Sequence, residues 1–191
     1  MDVISSPEVA AREAPSEGAG TECASLSIAL AGSGGSGVMT AGTLLLDAAA
    51  RAGLYGLMVR TSGPQIRGGE AAGLLRIGHT PLESLDDRFD LLLAIDWLNI
   101  NRFADEIPLH PGSLLLGDAD SGSAPEVFLA TGTRSVSLPL KKMVKAIPGS
   151  WINMVALGLA GALAGLPIKS CQNARFSPTL SAPLSGSRWP R

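Results

Sequence analysis

Gly32, Ser33, Gly34, Gly35, Ser36 and Gly37 form an unbroken glycine-rich run that restricts the fold more than any other part of the chain. Residues 26–31 before it are apolar, and residues 38–51 after it repeat apolar side chains at helical spacing among good helix formers, ending ahead of Gly53. The order is therefore strand, tight turn, helix. Glycines let the backbone turn sharply and let an anion approach, while the free N–H groups opening a helix add donors and a partial positive charge. A phosphate is the kind of group such a turn suits.

The rest of the chain extends this pattern. Residues 54–61 read as a second strand whose distance from the first fits a right-handed βαβ crossover, so the sheet is expected to be at least partly parallel. Residues 70–77 form a third extended segment of undetermined direction. Residues 89–95 are a continuous apolar run opening with Asp90, as expected of a strand covered on both faces at the sheet centre. A helical turn over 96–103 and a buried strand over 113–116 follow. Weaker extended segments are expected over 127–130 and 135–138. Ser150 reads as the N-cap of a helix over 151–164, with Gly165 and Pro167 as its stop. Gly158, Gly161 and Gly165 would leave room there for another element to come close. With 191 residues a single core is the default. The fold class is α/β, a single Rossmann-like domain with a mostly parallel sheet flanked by helices.

Composition removes several classes of function. Hydrophobic residues at 46%, charged residues at 17% and a net charge of -2 indicate neither wholesale disorder nor a nucleic-acid partner. Cys23 and Cys171 lie in stretches that read as irregular and far from the core, so no disulfide framework follows. An iron–sulfur cluster needs about four closely spaced thiolates and would have to live in another chain. His79 and His110 sit apart in expected turns, and no metal is assigned. The apolar stretch 151–166 is 16 residues long, short of the roughly 20 needed to span a bilayer, and reads as a buried helix. Residues 1–25 lack the apolar run of a signal peptide and read as a disordered leader, which points to the cytoplasm. After Pro167 the basic residues Lys169, Arg175, Arg188 and Arg191 stand among Ser and Pro without any acid, so 168–191 reads as a disordered or aberrant tail.

Two loops carry the candidate chemistry. Gly32, Gly34 and Gly37 satisfy G-x-G-x-x-G, a weak motif alone. Binding of NAD expects an acid near the end of the second strand, where this chain has Arg60 and Thr61. Arg60 would instead suit a 2′-phosphate, which leaves an NADP-binding, reductase-like reading open beside that of a purely structural turn. The second loop, Thr61-Ser62-Gly63-Pro64-Gln65-Ile66-Arg67-Gly68-Gly69, sets Arg67 beside two glycines just after a strand, at the carboxyl edge where ligands of parallel sheets bind. A guanidinium there offers fixed donors to phosphate or carboxylate. An ordinary solvated arginine is the alternative.

Taken together, Gly34-Gly35-Ser36-Gly37-Val38 with Ala41-Gly42, then Gly53-Leu54-Tyr55, then Ser62-Gly63-Pro64-Gln65-Ile66-Arg67-Gly68-Gly69, resemble the gamma domain of pyruvate, 2-oxoglutarate and related ketoacid:ferredoxin oxidoreductases. The resemblance continues through residues 90–96 and Pro111-Gly112-Ser113-Leu114-Leu115-Leu116 and covers about 26–167. It implies a multisubunit enzyme that decarboxylates a 2-oxoacid on thiamine diphosphate, passes electrons through iron–sulfur clusters to ferredoxin and yields an acyl-CoA. Thiamine diphosphate and the clusters would sit in partner subunits. The gamma domain would pack beside the thiamine-binding alpha and beta subunits, with a ferredoxin-type subunit or ferredoxin as acceptor, and help position coenzyme A as co-substrate without supplying a catalytic residue. The implied phosphate contacts are Gly32, Ser33, Gly34, Gly35, Ser36, Gly37 and Arg67, with Arg60 a secondary one. Some members fuse this domain to a thiamine domain, and residues 154–167 look like the helix before that join. The change after Ile168 reads as truncation or a shifted frame, or as a stand-alone subunit with a divergent tail. An isolated chain of this kind would be inactive. A non-catalytic interaction module is the remaining alternative.

Overall fold

The computed structural model describes residues 25–63 and 69–174. Strand β1 (Ser25–Ser33) leads through the glycine turn into helix α1 (Val38–Arg51) and strand β2 (Tyr55–Ser62), after which β3 (Glu70–Gly78) and β4 (Phe89–Ala94) enter the sheet. A 3₁₀ turn at Ile100–Phe103 precedes β5 (Leu109–Asp118), the single-turn helix α2 (Glu126–Leu129) and β6 (Arg134–Leu138). Helices α3 (Leu140–Ala146), α4 (Ile152–Leu163) and α5 (Ile168–Asn173) complete the described chain. The six strands lie in the order β2-β3-β1-β4-β5-β6.

Strands β1, β4, β5 and β6 run parallel, while β3 is antiparallel to both β1 and β2. The expected crossover from β1 to β2 thus brings β2 parallel to β1 but one strand removed, with β3 wedged between. The reason is chain length. Only residues 63–69 join β2 to β3, too few for a parallel return, which needs about a dozen. Small residues keep α1 close to this side of the sheet: a Cβ on Gly42 or on Gly73 would stand 2.7 Å from the Met58 methyl, which fills the space between them.

The central strand serves two cores. Leu91 and Leu93 face Leu30, Leu45, Leu75, Ala156 and Ala160 under α1 and α4, while Leu92 and Phe89 face Ala29, Phe103, Ile107, Leu115 and Phe128 on the other side. From Leu91 to Ala94 successive residues are buried on opposite faces, with an irregularity between Phe89 and Leu91 that turns Phe89 to the second core, and burial on both faces accounts for the apolar run.

Two local expectations change, and one helix appears that the sequence did not announce. Residues 127–130 are not extended: α2 buries Phe128 alone and leaves Val127 and Leu129 exposed, so one helical turn mimics strand alternation. Helix α3 carries a single buried residue, Leu140, among lysines, and so lacks the apolar stripe that would announce it. The cap of α4 is Trp151 in extended conformation, not Ser150, and no side chain bonds to the helix start. Its stop is as read. Gly165 has φ 68°, its N–H bonds to the Ala162 carbonyl at 3.1 Å, and the N–H of buried Leu166 bonds to the Gly161 carbonyl at 2.9 Å, the paired closure that a left-handed residue allows.

Beyond Pro167, residues 168–173 form α5 where an irregular tail was expected. Cys171 packs on the first core, and a Cβ on Gly161 would approach its Sγ to 2.6 Å, so this cysteine is not remote from the core. Burial pushes its thiol pKa up. Residues 175–191, the leader and Cys23 lie outside the described residues.

Candidate functional site at the carboxyl edge of the sheet

The carboxyl ends of β1, β4 and β5 open onto a groove of about 650 Å³ lined by Ser33, Ser36, Asp96, Trp97, Ser121 and Lys141 among others. Both candidate loops reach this edge. Ser33 pairs with Glu70 across β1 and β3, the Gly63 N–H donates to the Glu70 carbonyl at 2.9 Å, and the Gly34 N–H donates to the Gly69 carbonyl. The first loop is therefore bonded to a stem of the second. Arg67 itself lies outside the described residues.

Within the glycine turn the residues divide by role. Gly32 is buried, and a Cβ there would stand 3.0 Å from Val38 Cγ2 and 3.3 Å from Ile95 Cβ, so its smallness serves packing. Ser33 spends both its donors on Asp96: its N–H and hydroxyl reach Oδ2 at 2.9 and 2.8 Å. Oδ1 of the same carboxylate accepts the Leu98 N–H at 3.1 Å. The Ser36 N–H returns to the Ser33 carbonyl at 3.0 Å. That leaves the N–H groups of Gly35, Gly37, Val38, Met39 and Thr40 without a protein acceptor among the described residues, the Ala41 N–H being the first to close on the Gly37 carbonyl at 2.9 Å. The Ser36 hydroxyl is buried and also lacks a partner. A cluster of unspent donors at a helix start is a site for a negatively charged oxygen.

Gly37 is required twice. It caps α1 at φ 83°, a left-handed conformation costly to a side chain, and a Cβ on it would collide with the Asn153 amide. Asn153, from the start of α4, donates to the Gly37 carbonyl at 3.4 Å. Neither Asn153 nor Asp96 was singled out in the sequence, although a lone amide in an otherwise apolar helix and an acid at the end of a buried strand are both legible features.

Arg60 takes no part in the groove. It is exposed on β2, two strands from β1 and hence about 10 Å away across the sheet, and its Nη2 donates to Thr43 Oγ1 on α1 at 3.3 Å. The wedge of β3 removes the geometry on which an arginine at the end of an adjacent second strand would read a dinucleotide ribose.

Two ion pairs brace the edge. Buried Glu70 meets Arg102 of the 3₁₀ turn, and its own backbone N–H, then that guanidinium, hold its carboxyl below the usual carboxylate range despite burial. Asp118, fully buried at the end of β5, meets Lys141 Nζ at 3.1 Å and accepts from the Ser121 hydroxyl at 2.9 Å. Burial pushes its pKa up, but Ser121 and Lys141 outweigh that and hold it low. Trp97 lies against Gly117, where any Cβ would strike its ring.

Residues 27–176 match the family model for pyruvate ferredoxin/flavodoxin oxidoreductases. The chain belongs to that family. It is similar to a 2-oxoglutarate:ferredoxin oxidoreductase from Magnetococcus marinus, solved with 2-oxoglutarate, coenzyme A and succinyl-CoA bound, at 28% identity and a TM-score of 0.68. That match covers 80% of this chain and 27% of the other, so the chain spans about a quarter of that relative. The fold is shared with the gamma subunit of a keto/oxoacid ferredoxin oxidoreductase from Geobacter sulfurreducens, at 24% identity and a TM-score of 0.62, covering 81% of this chain and 87% of that one. It is shared again with the pyruvate oxidoreductase subunit PORC from Thermotoga maritima, at 21% identity and 0.62, covering 82% and 88%. No curated protein matches.

The family and the fold class read from the two loops are thus both borne out for this oxidoreductase relative. Among the described residues no helix is long and apolar enough to cross a membrane, and no group of three His, Cys, Asp or Glu is placed to hold a metal ion.

Proposed function

We propose that this chain serves as the gamma-type subunit or domain of a 2-oxoacid:ferredoxin oxidoreductase and positions coenzyme A by its phosphates during oxidative decarboxylation of a 2-oxoacid to an acyl-CoA. The carrying observation is the bond from the Gly34 N–H to the Gly69 carbonyl, because it brings the stem of the second loop to the turn whose Gly35 and Gly37 amides have no acceptor among the described residues. Ser36 adds a buried hydroxyl with no partner among the described residues, and the groove is large enough for an extended polyphosphate. The Magnetococcus marinus relative was solved with coenzyme A bound. The work done by such a site is positioning, which lowers the entropic barrier to reaction and asks for no acid or base here. Decarboxylation on thiamine diphosphate and electron transfer through iron–sulfur clusters belong, on this reading, to partner subunits and ferredoxin, so the chain alone does not turn over.

Calorimetric titration of the full chain with coenzyme A, and separately with NADPH, tests this. Gly35 has φ 92° and open space around it, so Gly35→Asp meets left-handed strain but no clash and sets a carboxylate where the phosphate is held, with circular dichroism to check that the variant is folded. Coenzyme A affinity is expected to fall by about tenfold or more. Unchanged affinity in that variant, or tight NADPH binding with no response to coenzyme A, would overturn the proposal.

A further inference from the structure

We infer that Lys141 forms the second wall of the anion site, holding a phosphate of the ligand from the side of the groove opposite the glycine turn. The inference deepens the coenzyme A reading and rests on it for the identity of the ligand.

Among the described residues, Lys141 is the one cationic side chain lining the groove. Its neighbours Lys142 and Lys145 are exposed and line no part of it. Its position is held from below. Asp118 is fully buried, and its Oδ2 lies 3.1 Å from Lys141 Nζ, while its Oδ1 accepts the Lys141 N–H at 3.3 Å. The Ser121 hydroxyl lies 3.1 Å from Nζ and donates to Asp118 at 2.9 Å. An ammonium has three donors, and Asp118 and Ser121 account for two. The side chain is 49% exposed, so the third hydrogen stays open to the groove.

A solvated lysine needs no such cradle, since an exposed ion pair contributes little and a buried carboxylate is costly to desolvate. Burying Asp118 makes sense where it fixes a flexible four-carbon chain in one place and so lowers the entropy lost when an anion binds. The other carboxylate of the groove, Asp96, is engaged by Ser33 and Leu98, and among the described residues Lys141 pairs with Asp118 and not with it. The ligand class that fits is therefore a phosphate ester or polyphosphate bridging the amides of the glycine turn and this ammonium.

The test compares coenzyme A, dephospho-coenzyme A and inorganic pyrophosphate on the full chain, as wild type and as Lys141→Met, with Lys142→Met as the control. Lys141→Met strands a buried carboxylate, so Asp118→Asn/Lys141→Met is measured beside it, and circular dichroism checks that each variant is folded. Both Lys141 variants are expected to bind coenzyme A about ten- to a hundredfold more weakly, as loss of a charge-assisted contact implies, with the control unchanged. A loss shared by pyrophosphate assigns the contact to the diphosphate, and a loss confined to coenzyme A assigns it to the 3′-phosphate. Coenzyme A binding that survives unchanged in the folded double variant would overturn the role of Lys141 and leave the proposed function standing. Lys141-dependent pyrophosphate binding without any coenzyme A response would keep this wall and overturn the coenzyme A reading. Absence of binding by all three probes would overturn both.

Discussion

Asp96 accepts three hydrogen bonds at the end of β4, two of them from Ser33, and so fixes the glycine turn rather than meeting a ligand. Asp96→Ala would release the Ser33 N–H and hydroxyl and the Leu98 N–H together. We expect it to cost about 1–3 kcal/mol of stability by chemical denaturation and to weaken coenzyme A binding, since the unspent amides of Gly35 and Gly37 would lose their fixed direction. Gly37 makes a second case. Gly37→Ala meets both left-handed strain, about 1–2 kcal/mol, and the Asn153 amide, so adding Asn153→Ala should recover only part of the lost stability. Full recovery in the double variant would show that the backbone at Gly37 is not strained. The glycine turn was legible because it sits within a few residues of the strand and helix it joins. Asp96 and Asn153 were not read because their partners lie 63 and 116 residues away along the chain, where no local pattern reports them.

Helices were legible in proportion to the stripe they bury, whereas β2, which buries no residue fully, was read from its Leu, Met and Val residues. Helix α1 was read at its observed bounds because seven of its residues are buried along one stripe, and β4 because nearly all of it is. Helices α2 and α3 bury one residue each and had no stripe to read. The glycines of α4, grouped in the sequence as a packing face, separate once the structure is known. A Cβ on Gly158 would meet nothing within 4 Å, whereas one on Gly161 would stand 2.6 Å from Cys171 Sγ of α5. Gly158→Ala should therefore stabilise the chain by up to about 1 kcal/mol through helix propensity alone. Gly161→Ala should destabilise it by about 1–3 kcal/mol through overpacking. Gly161→Ala with Cys171→Ala should regain most of that loss. Thermal melts of the set decide it, and equal gains from both single alanines would show that α5 does not press on α4.

Across the whole molecule the antiparallel wedge of β3 decides where charge can gather. By returning between β1 and β2 it starts at the same carboxyl edge where β1 ends, and it brings Glu70 beside the glycine turn and under Arg102. The direction of β3 could not be read from its composition, and with it went the bracing of this edge. Glu70–Arg102 ties β3 to the turn after β4, and Asp118–Lys141 ties β5 to α3, so acids buried on either side of the groove hold its two walls. Both carboxyls ionise more readily in the folded chain than in the unfolded one. Their contribution to stability is therefore complete above the unfolded-chain values of about 4, and it is lost as pH falls from there through the lower folded-state values. Melting temperature should accordingly hold over neutral pH and drop in acid, with a shallower acid limb in Asp118→Asn and in Glu70→Gln than in wild type. An acid limb of unchanged slope in both variants would mean that these buried acids do not carry the pH dependence, and that the edge on which the proposed site stands is braced by something other than its two ion pairs.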